Sequence, residues 1–395
     1  MQPSERIGKL PRYLFAEIDQ KVQEAVAKGV DVIRLGIGDP DKPTPDFIIN
    51  RMAAEIRKQE NHSYPPDSGL MDFKEAVAAY YQSRFDVDLD PATEVLPLIG
   101  SKEGIAHISA CYVNPGDVNL VPDPGYPVYS IGTMFAGGEV VKMPLREENG
   151  FLPDFKRIKP ETAAKAKLLF LNYPNNPTGS TAGEEFFREA VAFARKYNIL
   201  VCHDAAYTEL YFDNYRPVSL LQVKGARDVG IEFGSLSKPF NMTGWRIGYA
   251  VGNREAVDTL GRYKSNIDSG LFKAIQLTGR EALLNESNRE FLRELRKMYQ
   301  ERRDVAVQGL RKLGWQIEPP KATFYIYAPV PAGFTSKDFV AYVLEKTGVV
   351  LTPGSGFGEY GEGYFRIALT VEKERLMEAM ERFSKAGIRF EARRQ

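Results

Sequence analysis

AKLLFLNYPNNPTGSTAGEEFFREAVAFARKYNILVCHDAAY, residues 166–207, runs from an apolar stretch through a helical period into a second apolar stretch. Ala166 to Pro174 reads as a buried strand ending in a loop. Glu184 to Tyr197 places Phe187, Val191 and Ala194 at helical spacing, and Asn198 to Tyr207 reads as another buried strand. GIEFGSLSK, residues 230–238, supplies a third. Buried strands alternating with helices predict parallel βαβ units, with helices on both faces of one sheet. Ligands of such sheets sit beyond the carboxyl ends of the strands, so chemistry is sought just after each apolar run.

The chain has 395 residues, more than one ordinary core holds, which predicts two or three domains. A smaller α+β unit is expected from about Asn288 onward. Ser287 and Glu290 have the spacing of a capping box, and Phe291, Leu295, Met298, Val305 and Leu310 form a helical stripe that Gly314 is placed to end. Three short strands follow, in ATFYIYAPV, EKTGVVLTP and GYFRIALTV. Fifty-two basic residues balance fifty-two acidic ones, which argues against a nucleic-acid binder working through a basic face. Two cysteines, Cys111 and Cys202, exclude a disulfide scaffold and a thiolate zinc site; the three scattered histidines show no metal-ligand spacing. No apolar run approaches a membrane span, and MQPSERIGKLPRYLF lacks the apolar stretch of a secretory signal. The expectation is a soluble, cytoplasmic enzyme with no metal.

Three motifs suggest chemistry that their contexts do not support. GFGEYG, residues 356–361, matches a dinucleotide fingerprint but precedes a strand rather than a helix, and reads as a glycine-rich turn. Ser235 to Lys238 matches S-x-x-K and Lys346 to Gly348 matches K-T-G, but the third element of a serine acylase is missing between them. His203, inside an apolar strand beside Cys202, reads as a hydrogen-bonded core residue, and Cys202 as inert packing.

Lys238 is different. It is expected to close an apolar strand, it follows two small hydroxyl residues, and Arg246 comes soon after. An amine there either reaches to solvent or serves as a nucleophile. If it held pyridoxal phosphate, the ring nitrogen would need a carboxylate, and Asp204 ends its own strand. Tyr207 and Asn176 are placed to donate to the ring hydroxyl, and Tyr126 to stack on the ring. The phosphate would need a helix start, which Ser101 and Lys102 provide, with Ser235, Ser237 and Arg246 adding donors. Singly, Asp204 or Ser101 could be a helix cap, Asn176 a turn residue and Tyr126 an ordinary aromatic. Together they converge on one cofactor.

SLSKPFNMTGWRIGY, NYPNNPTG, CHDAAY, SYPPDSG and GYFRIAL resemble the class I/II aminotransferases, of fold type I among pyridoxal-phosphate enzymes. The resemblance implies an α/β large domain over residues 46–285, with a mostly parallel seven-stranded-type sheet between helices. It implies a small α+β domain built from residues 1–45 and 286–395. It makes Lys238 the Schiff-base lysine and proton shuttle, Asp204 the partner of the pyridine nitrogen, and Tyr207 and Asn176 the ring-hydroxyl donors. Ser101, Lys102, Ser235, Ser237 and Arg246 match the phosphate cradle, and Tyr126 the stacking aromatic. Arg366 matches the arginine that grips the substrate α-carboxylate, Gly38 a backbone contact to substrate, and Tyr64 a tyrosine reaching the phosphate in the other subunit of a homodimer. PRYLFAEID, RLGIGDPDKPTPD and HSYPPDSGLMDFKEAVAAYY are most similar to members that exchange an amino group between LL-2,6-diaminopimelate and 2-oxoglutarate in lysine biosynthesis. In those members Tyr13, Lys102, Tyr126, Asn176 and Asn266 also touch substrate, Asn266 from the other subunit. Aspartate, alanine or aromatic donors, and β-elimination, are the alternatives on the same fold.

Overall fold

The structure is a computed structural model describing residues 1–10 and 14–390. In chain order its strands are β1 (Ile33–Arg34), β2 (Val95–Leu98), β3 (Val118–Asp123), β4 (Glu139–Pro144), β5 (Ala166–Asn172) and β6 (Leu200–Asp204). They continue with β7 (Gly230–Ser235), β8 (Gly248–Gly252), β9 (Tyr325–Pro329), β10 (Val349–Val350), β11 (Thr352–Pro353) and β12 (Tyr364–Ala368). Seven of them form one sheet in the order β2-β8-β7-β6-β5-β3-β4. Its members run parallel from β7 to β4, and β8 is antiparallel to both β7 and β2.

The expected layers are present. Along β5, Leu168 and Phe170 pack with Ile105, Ile108 and Leu260 on one face, while Leu169 and Leu171 meet Phe187, Val191 and Ala194 on the other. Side chains of a strand alternate between faces, so a strand covered on both sides is apolar at nearly every position. The helix Glu184–Tyr197 has the bounds expected of it. The register sets Asn172 of β5 level with Asp204 of β6, so the two strands deliver their last residues side by side.

The C-terminal part carries an antiparallel sheet in the order β11-β12-β9, and β1 pairs in parallel with β10, tying the N-terminal segment to it. The long helix spans Asn288–Lys312, and Gly314 just beyond it has φ +101°. Two expectations are corrected. Ser287 caps nothing: its backbone is already helical (φ −71°, ψ −13°), and the Asn285 side chain accepts from its amide at 2.8 Å instead. The strand expected to run to Lys238 ends at Ser235, because a turn bends the chain toward the cleft there. No helix among the described residues is long and apolar enough to cross a membrane.

Candidate active site

A cavity of about 640 Å³ opens beyond the carboxyl ends of β5, β6 and β7, between the large sheet and the segment around Gly38. Other cavities, of about 760 Å³ beside Lys74 and about 510 Å³ beside Arg157, are of similar size, so size does not single this one out. Convergent polar groups do.

Lys238 lies half-buried in the cavity wall, and its Nζ donates to Gly38 O at 3.0 Å. Burial, with the Arg246 and Arg366 charges, pulls its amine down to about 8, against the opposing pull of Asp39 and Asp204. Gly38 must be glycine here, since a Cβ would come within 1.9 Å of the Tyr325 hydroxyl.

Asp204 is buried at the end of β6. Its Oδ2 accepts from Tyr129 Oη at 2.8 Å, and its Oδ1 from Ala206 N at 3.3 Å. Burial raises its pKa; the Tyr129 hydrogen bond, the neighbouring His203 and Lys238 oppose that rise. Asn172 fixes both flanks: its Nδ2 donates to Asp204 O at 2.8 Å, and its Oδ1 accepts from Asn176 N at 2.8 Å. The Tyr207 hydroxyl, 3.1 Å from that of Tyr325, also lines the cavity, and burial holds it well above the usual tyrosine range.

One end of the cavity is the start of the helix Ser101–Tyr112, the positive end of the helix dipole, which favours an anion. Ser101 is that helix's first residue, and Gly100 occupies the cap position. Ser235, Ser237 and Arg246 line the same end; the Arg246 guanidinium lies against Gly100 and donates to Thr243 O at 2.9 Å. Lys102 and Tyr126 form a side wall, with the Lys102 ammonium 5.8 Å from the Tyr126 ring centroid.

At the other end stands Arg366 of β12, 2% exposed. Its Nη1 donates to Asn176 Oδ1 at 2.6 Å and its Nη2 to Gly36 O at 2.7 Å. The rings of Tyr325 and Phe357 flank it, with centroids 4.2 and 4.7 Å from Cζ. Among the described residues no carboxylate pairs with it, and its buried Nε has no partner. A buried guanidinium costs several kcal/mol unless an anion joins it, so the arrangement favours a carboxylate ligand.

Tyr64 is 82% exposed and Asn266 sits at the exposed end of the helix Arg254–Ser265; neither lines the cavity of its own chain. Tyr13 lies outside the described residues. His203 is a core residue as expected, with Nδ1 2.7 Å from Glu232 and Nε2 3.0 Å from Tyr173 O. Among the described residues, no group of three or more His, Cys, Asp or Glu side chains is arranged to hold a metal. Sequence reasoning missed Tyr129, Asn172, Tyr325 and Phe357. Asn172 was the most legible of them, because it closes the apolar run Ala166–Asn172, and residues at strand ends are where chemistry is sought.

Residues 30–383 match the family model for aminotransferase class I and II. LL-diaminopimelate aminotransferase of Moorella thermoacetica is 59% identical over 382 residues, covering 97% of each chain. The protein of the same name from Halothermothrix orenii is 56% identical, over 99% of this chain and 100% of its own. Among solved structures, substrate-bound BacF from Bacillus subtilis superposes with a TM-score of 0.94 at 40% identity, covering 100% of both chains. A double mutant of Thermus thermophilus aspartate aminotransferase superposes at 0.92 with 28% identity, over 98% of this chain and 100% of its own. The matched family model spans both the large sheet and the β12 strand that bears Arg366, and with these relatives it shows that the chain belongs to the class I and II aminotransferases.

Proposed function

We propose that the cleft holds pyridoxal 5′-phosphate and that the enzyme moves an amino group between LL-2,6-diaminopimelate and 2-oxoglutarate, with tetrahydrodipicolinate and L-glutamate as the other pair. The observation that carries this is one cavity with a depressed lysine amine, a buried carboxylate and a buried guanidinium whose Nε has no partner. The shared name of the two bacterial relatives supports the choice of substrate, and with it a cytoplasmic role in lysine biosynthesis.

The donor set fits the cofactor: an anion-binding helix start, an amine and a carboxylate line one cavity. When bound, the cofactor ring supplies a sink for negative charge developing at the substrate α-carbon. Lys238 would hold the cofactor and, when free, could move the proton at the α-carbon, a task that suits an amine brought down to about 8. Asp204 would supply the negative charge for the ring nitrogen, Tyr207 and Asn176 would orient the ring hydroxyl, and Tyr126 would cover the ring. Ser101, Lys102, Ser235, Ser237 and Arg246 would bind the phosphate. The planar fork of Arg366 takes the α-carboxylate in a geometry lysine lacks, with Gly38 beside it. The amino group leaves the donor in one half of the cycle and enters the oxo acid in the other. In this reading residues 46–285 form the large domain, residues 1–45 and 286–395 the small one, and Tyr64 and Asn266 complete the partner's site in a homodimer.

The test is a donor panel with 2-oxoglutarate as acceptor. LL-diaminopimelate is expected to give the highest kcat/KM, above meso-diaminopimelate, aspartate, alanine and tyrosine. A higher value for aspartate or alanine would replace the substrate assignment and keep the chemistry.

The Lys238 amine gives a second expectation. In protein freed of cofactor, acylation of Lys238 should rise with pH to half its plateau near pH 8, as the neutral amine forms. Because the folded state sheds this proton before the unfolded state does, stability of that protein should climb from about pH 8 toward the ordinary lysine pKa of about 10.4. Peptide mass mapping of label against pH measures the midpoint. A midpoint above pH 10 would remove the claim that burial tunes this amine.

A further inference from the structure

The glycine-rich segment 354–361 is two short turns preceding β12, and it is bolted to the far end of a strand of the other sheet. Asp123, the last residue of β3, is 3% exposed. Its Oδ2 accepts from Glu359 N at 3.2 Å and its Oδ1 from Tyr360 N at 3.0 Å. Two residues along, Gly125 N donates to Phe357 O at 2.8 Å. Gly358 has φ +141°, and a Cβ there would lie 2.0 Å from Asp123 Oδ1, so only glycine lets the two amides face the carboxylate. Lys142 stands outside this contact, its Nζ 3.1 Å from both Asp123 and Glu359. Phe357, on the same turn, is the residue whose ring covers one face of the Arg366 guanidinium.

We propose that Asp123 is a positioning residue for recognition of the substrate carboxylate: by fixing the 354–361 turn it holds Phe357 against Arg366. The proposal rests on the reading of Arg366 as the carboxylate site. Without Phe357 in place, Arg366 keeps its hydrogen bonds to Asn176 and Gly36 but loses one wall, admits water and grips an anion less well. Asp123 touches neither substrate nor cofactor; it acts through the turn.

The test compares steady-state constants and cofactor affinity across variants. Asp123→Asn is expected to raise KM for the amino donor about tenfold, the scale of one desolvated cation–π contact, with kcat within about threefold and cofactor Kd unchanged. Gly358→Ala, which pushes the carboxylate away, should do the same. Phe357→Leu should match Asp123→Asn, and the double variant should add nothing, because both act on one contact. Lys142→Met should leave KM unchanged, since the lysine sits outside the contact and Asp123 keeps its hydrogen bonds from the Glu359 and Tyr360 amides without it. An Asp123→Asn enzyme with lower Tm and kcat but unchanged KM overturns the proposal in favour of a merely structural role. If that variant does not fold, an unchanged KM in Phe357→Leu overturns it equally. Arg366→Lys separates the two levels: a raised KM there with none in Asp123→Asn sinks only this proposal, and an unchanged KM there sinks the Arg366 reading itself.

Discussion

Lys238→Ala is expected to lower kcat roughly 10⁴-fold or more while leaving a folded protein that still binds cofactor. General acid–base catalysis by one positioned group contributes up to about 10⁴-fold, and in the proposed mechanism this lysine would serve both as attachment point and as proton carrier. Its removal should cost little structurally: among the described residues the hydrogen bond of its Nζ goes to the Gly38 carbonyl. The end of the cavity proposed for the phosphate, at the start of the helix Ser101–Tyr112, is untouched, so the cofactor should remain held without a covalent bond. Single-turnover transamination measures the loss, and borohydride treatment followed by peptide mass mapping shows whether cofactor is fixed at position 238. Lys238→Arg should be as inactive as alanine, because a guanidinium stays protonated and cannot take the α-proton. Transamination at the parent rate in Lys238→Ala would remove the lysine from the mechanism.

What the sequence disclosed follows from which interactions are local. The strand–helix–strand rhythm of residues 166–207 is a local pattern, and the helix Glu184–Tyr197 came out with its bounds. Residues at strand ends were legible for the same reason: Asn176, Asp204 and Lys238 each follow an apolar run, and the topology brings strand ends to one crevice. Partners that arrive from distant segments left no such mark. Tyr325 and Phe357 flank Arg366 only because β9, β12 and the 354–361 turn meet at the cleft. The Ser287 cap failed because spacing alone does not fix the backbone angles that a cap requires. GFGEYG was recognised as a turn, but its bond to Asp123, more than 230 positions earlier, is visible only in three dimensions.

Asp204→Ala is expected to be the second most damaging change, lowering kcat roughly 10²- to 10⁴-fold, which corresponds to about 3–5 kcal/mol for breaking one buried charge pair. The carboxylate is 6% exposed, and burial pushes its pKa up. A protonated ring nitrogen facing it would reverse that shift, so in the proposed reading carboxylate and ring would hold each other in their charged forms. Three variants separate charge from shape. Asp204→Asn keeps the volume but not the charge, and should lose nearly as much activity as alanine while retaining more stability. Tyr129→Phe removes one charge-assisted hydrogen bond and leaves the carboxylate, so its loss should be about tenfold. The expected order of kcat is parent, then Tyr129→Phe, then Asp204→Asn and Asp204→Ala close together at the bottom. Absorbance of the bound cofactor across pH gives a readout independent of turnover, because loss of the charge lowers the pKa of the ring nitrogen. An Asp204→Asn enzyme within threefold of the parent would mean that the buried carboxylate holds the ends of β5 and β6 in place and does not tune the ring.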